Sequence, residues 1–80
     1  MNPHIDPQIP PLTRIDHEAF ARALKRLSGG IYTVSARSDL DLDLLEEAQR
    51  SSIAMPYSVI QRIQQAFDAP PPDLVLKEEN

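Results

Sequence analysis

Cysteine and tryptophan are both missing from this 80-residue chain, and glycine occurs only as the adjacent pair Gly29 and Gly30. Without Cys there can be no disulfide, no thiolate nucleophile and no Cys-based zinc site. One glycine pair cannot build a Gly-rich phosphate loop, and its place after an amphipathic stretch reads as a helix end. Aromatics are few, two Phe and two Tyr. No apolar run approaches the ~20 residues that cross a bilayer, so no membrane partner is expected. The first residues show neither a basic region nor an apolar one of the kind a secretory signal carries, so a cytoplasmic location is expected.

Small size is a further restriction. A chain this short buries only about 60% of the surface its unfolded form exposes, leaving a core of about a dozen side chains. Folds of this size usually need a staple. With disulfides excluded, oligomerisation or docking on a larger partner remains, and a homo-oligomer is a candidate state. Catalytic signatures are also lacking. No Ser stands in a nucleophile-elbow context. His4 and His17 are flanked by acids (Asp6; Asp16 and Glu18) at no zinc spacing. Catalytic carboxylates need burial that so small a core hardly provides. The expectation is a protein that is not an enzyme and carries no cofactor and no metal.

Proline, by contrast, is abundant, with eight residues. Pro3, Pro7, Pro10 and Pro11 make residues 1–12 an extended arm, because proline fixes φ and has no amide donor. Residues 13–69 read as a helical domain, and residues 70–80, opening on Pro70, Pro71 and Pro72, as a Pro-rich acidic tail or a short edge strand. Within the domain, a first helix is expected over 14–28, capped by Thr13 or Asp16 and ended by the glycines. Ile15, Phe20, Leu24 and Leu27 form its stripe. Residues 31–37 (Ile, Tyr, Thr, Val, Ser, Ala, Arg) predict a strand from their β-branched and aromatic content. Ser38 is the expected cap of a second helix over 39–51, and Pro56 opens a third over 56–68. The predicted fold is α+β and mainly α: three short helices and one strand in the order α-β-α-α.

Charge is unevenly spread along the chain. Residues 1–37 hold five Arg or Lys against three acids, a balance of +2, whereas residues 38–80 hold nine acids against three bases, a balance of −6. Such polarity steers association with charged partners or between unlike ends of two copies. The acids Asp39, Asp43, Glu46 and Glu47 fall at i, i+4, i+7 and i+8, one stripe on a helix. Their ordinary reading is a solvated face near a helix N-terminus, where the dipole favours negative charge. Their functional reading is a patch that docks on a basic protein surface, with carboxylates standing where phosphates would go. Arg22, Lys25 and Arg26 form a second candidate contact.

Two further patterns point to nucleic acid. The helices expected over 39–51 and 56–68 are joined tightly, as in a helix-turn-helix, and the second offers Tyr57, Gln61 and Arg62 as base readers. The acidic first helix opposes that reading, since it repels phosphate. The order strand, helix, helix over residues 31–67 resembles the ribbon-helix-helix plan. That resemblance covers about half the chain and implies that two copies pair their strands, with Thr33, Ser35 and Arg37 facing the major groove. The chain departs from that plan in its long preceding helix and in the acids that follow the strand. Taken together, the residues predict a small regulatory or inhibitory protein that binds a protein partner with a basic surface. A DNA-binding transcriptional regulator is the alternative, and only under it is nucleic acid a partner.

Overall fold

The computed structural model describes residues 12–77. The arm's prolines and His4 lie outside the described residues, as does the end of the tail from residue 78. Among the described residues the chain forms β1 (Leu12–Arg14), α1 (His17–Lys25), α2 (Ile31–Ser38), α3 (Leu42–Arg50), β2 (Ala54–Pro56) and α4 (Tyr57–Gln65). The expected three helices and one strand are therefore corrected to four helices and a two-stranded antiparallel sheet, in the order β-α-α-α-β-α.

The main correction concerns residues 31–37, which are helical and not a strand. Gly29 and Gly30 hold φ at 88° and 56°, values that side chains resist, and so turn the chain back on itself. The amides of Thr33 and Val34 then both donate to Gly30 O, opening α2. Val34 and Ser38 are buried one helical turn apart, on a single face of the helix. A helix satisfies its own amides, so this segment needs no strand partner. Burial of one face outweighs a β propensity worth only about 1 kcal/mol across its whole scale.

The helix boundaries move for local reasons. Ser38 does not cap α3; it ends α2, buried, with Oγ donating to Val34 O at 2.6 Å. Asp39 follows in the left-handed conformation at φ 61°, its N–H donating to Ser35 O. Asp41 takes the extended N-cap position of α3, without a side-chain capping bond. At α1, Asp16 is the cap and its Oδ1 accepts the Ala19 amide at 3.1 Å, while Thr13 and Arg14 belong to β1.

β1 pairs with β2 in the register Leu12 with Pro56, Thr13 with Met55 and Arg14 with Ala54. Its continuation, Ile15, bridges Val75 of the tail, with Asp16 N–H donating to Leu74 O at 2.8 Å and Leu76 N–H to Arg14 O at 2.9 Å. The tail thus pairs as an edge, with Ile15 as its bridge partner. Gln64 Oε1 accepts the Leu74 amide at 2.8 Å, which pins the tail to α4. The core gathers Ile15, Phe20, Leu24, Leu27, Val34, Leu45, Ala48, Met55, Ile60, Ile63, Ala66 and Leu74, so every element from β1's end to the tail contributes. Phe20 meets Phe67 edge to face, with centroids 6.2 Å apart.

Candidate protein-contact surface

The acidic run is split by the fold. Asp39 is the left-handed residue that closes α2, Asp41 caps α3, and Asp43, Glu46 and Glu47 lie exposed along α3. The expected single helical stripe from Asp39 to Glu47 is therefore corrected to a turn plus a helix face. Both parts remain on one corner, because only three residues separate the two helices. An open concavity of about 570 Å³ lies there, lined by Ser35, Asp39, Leu40, Asp41, Leu42 and Asp43. None of these carboxylates, nor Glu46 or Glu47, forms an ion pair among the described residues.

The corner is held from behind by side chains that bond to backbone. Ser35 Oγ donates to Leu40 O at 2.6 Å, fastening α2 to the turn. Arg62 of α4 donates to Ser38 O, the last carbonyl of α2. Arg37 of α2 returns the contact, donating to Ala66 O at the end of α4 at 2.9 Å and to Asp68 Oδ1 at 3.1 Å. The C-termini of α2 and α4 therefore converge, and each places an arginine on the other's negative dipole end. Nothing in sequence spacing signals this exchange, since the partners are 24 and 29 residues apart.

These bonds also engage most of the candidate base readers within the chain. Thr33, Ser35, Arg37 and Arg62 all donate to backbone carbonyls of their own chain, Thr33 to Ser28 O at 2.6 Å. Thr33, Ser35 and Arg37 stand on α2 and not on a ribbon, so the paired-strand arrangement of the ribbon-helix-helix plan is not present. The helix-turn-helix expected across residues 39–68 is interrupted by β2. The tightly joined pair is α2 and α3, whose second helix exposes carboxylates. Tyr57 and Gln61 remain exposed at the start of α4.

Arg22, Lys25 and Arg26 lie exposed at the C-terminal end of α1, where positive charge complements the dipole, and they form no ion pair among the described residues. Arg26 also rims a groove of about 150 Å³ lined by Ala23, Leu27, Phe67, Asp68, Pro70 and Pro72. Sequence reading missed this groove, because its walls come from the end of α1 with the residues just after it and from the segment after α4, which the proline run places but does not aim. His17 opens α1 and its amide donates to Ser52 Oγ at 3.3 Å. Among the described residues no three His, Asp or Glu side chains come together in a way that could hold a metal ion. In the tail, a hydrogen bond from Lys77 Nζ at 2.7 Å, then the Val75 amide, holds the Asp73 carboxyl below the usual carboxylate range. The same pairing raises the Lys77 ammonium. Among the described residues no helix is long and apolar enough to cross a membrane. No protein-family model, no curated protein and no solved structure matches this chain.

Proposed function

We propose that this chain is a small, non-enzymatic regulatory or inhibitory protein that binds a protein partner through the acidic corner of α2 and α3. The observation that carries this reading is the group Asp39, Asp41, Asp43, Glu46 and Glu47, five carboxylates without ion pairs among the described residues, on a corner locked by Ser35 and Arg62. A preorganised surface loses little freedom on docking, so its charge is spent on recognition. Carboxylates so placed suit a basic protein surface, including one that otherwise receives nucleic-acid phosphates. Long-range attraction of this kind mainly raises the association rate and sets specificity.

A direct test is affinity capture from the native cell with the wild-type chain and with Asp43→Lys/Glu46→Lys/Glu47→Lys. The reversed chain should keep its helical circular dichroism and lose the partner. Undiminished capture by the reversed chain would reject the acidic corner. Against the DNA-binding alternative stand the internal hydrogen bonds of Thr33, Ser35, Arg37 and Arg62 and the acidic second helix of the α2 and α3 pair. That alternative requires a mobility shift on generic duplex at low salt that fades steeply as salt rises; the acidic-corner reading requires none.

A further inference from the structure

The α2–α3 turn carries a partly buried leucine between two exposed acids. Leu42 sits between Asp41 and Asp43 and, unlike Leu40 and Leu44, is not packed against the core. On a different part of the same molecule lies the reverse arrangement, the groove lined by Ala23, Leu27 and Phe67 with Arg26 at its rim. Arg22 and Lys25 stand beside Arg26 on the same helix end. The one carboxylate on that rim, Asp68, is already engaged by Arg37 at 3.1 Å. At about 150 Å³ the groove takes one aliphatic side chain; sites for drug-sized ligands run to roughly 300–1,000 Å³.

We propose that the groove receives the acidic turn of a second copy, with Leu42 entering between Leu27 and Phe67 and with Asp41 and Asp43 facing Arg22, Lys25 and Arg26. Charge complementarity selects this occupant. A polyphosphate would suit the three cations, but it has no apolar group to fill the groove between Leu27 and Phe67. The turn of another copy brings both the apolar side chain the groove lacks and the charge its rim demands. The inference rests on the reading of the acidic corner as a contact surface, and it names one basic surface that fits it. The contact is small beside the ~800 Å² per partner of a stable interface, so association is weak and concentration-dependent.

The test is sedimentation equilibrium of the full chain over about 0.02–1 mM protein, at about 0.05 and 0.5 M salt. The wild type should self-associate, and more weakly at the higher salt. Arg22→Glu/Lys25→Glu/Arg26→Glu and Asp41→Lys/Asp43→Lys should each weaken self-association by at least about tenfold. An equimolar mixture of the two reversed chains should associate again, because the reversed groove then faces the reversed turn. A misfolded variant could not produce that recovery, and circular dichroism checks each chain alone. A wild type that stays monomeric at about 1 mM overturns the proposal, as does association indifferent to the reversals, or a mixture that fails to recover. A monomeric wild type would leave the acidic corner's claim on a foreign partner to the capture experiment, which does not depend on self-association.

Discussion

At the scale of single residues, the side chains that hold this molecule together are those most easily mistaken for ligands of something else. Arg37 and Arg62 have the chemistry of base readers, yet each caps the other helix's C-terminus. Replacing Arg62 with Ala removes a charge-assisted bond to Ser38 O and should cost about 1–2 kcal/mol, read as a lower urea midpoint with unchanged slope. If Arg62→Ala left the midpoint unmoved, the contact would be incidental. Gly29 is held at φ 88°, and a Cβ there would stand 2.1 Å from Thr33 Oγ1. Gly29→Ala should therefore destabilise by about 1–3 kcal/mol through backbone strain and displacement of the Thr33 hydroxyl. Adding Thr33→Ala should relieve the clash and not the strain, so the double variant should recover only part of the loss.

At the scale of elements, the lesson lies in α2 and the tail. Residues 31–37 carry a strand-like composition, but Val34 and Ser38 fall on the buried side of a helix, and the glycine pair starts that helix. Amide and α-carbon chemical shifts across residues 31–38 should be helical; extended values would contradict the fold. The tail is a structural element because Leu74 is fully buried and its amide is bound by Gln64. Leu74→Ala should cost about 2–5 kcal/mol, the usual range for a buried leucine. That is enough to loosen the Ile15–Val75 bridge, seen as loss of hydrogen-exchange protection at Leu76. The tail clamp also carries a pH dependence. Asp73 is held below its ordinary value, so its contribution is present above the unfolded carboxylate pKa and fades as pH falls through the lower, folded one. The pair is exposed and screened, so the effect on global stability is small. Faster exchange of the Val75 amide in strong acid, beyond the intrinsic pH trend, is the expected sign.

At the scale of the whole molecule, twelve buried hydrophobic residues from β1's end, four helices, β2 and the tail meet in a single core among the described residues. No element can lose its contribution quietly in so small an interior. Phe20→Ala, at the centre and edge to face with Phe67, should remove about 3–5 kcal/mol. That approaches the entire margin of a domain whose stability lies toward the low end of ~5–15 kcal/mol. Calorimetry should show one cooperative transition for the wild type and none resolvable for that variant.

Read from residues alone, the chain already disclosed the apolar stripe of α1, Asp16 as one of two candidate caps, a helix opening at about Pro56 and the separation of +2 from −6 along its length. Each of these follows from local chemistry: periodicity, a capping carboxylate, a fixed φ and countable charge. Tertiary structure alone decided that residues 31–38 wind into a helix, that β1 finds β2 and the tail, that two arginines exchange helix ends, and that a basic-rimmed groove opens beside α1. Those outcomes depend on which surfaces are buried together across tens of residues. Local propensity, worth tenths of a kcal/mol per residue, yields to that burial.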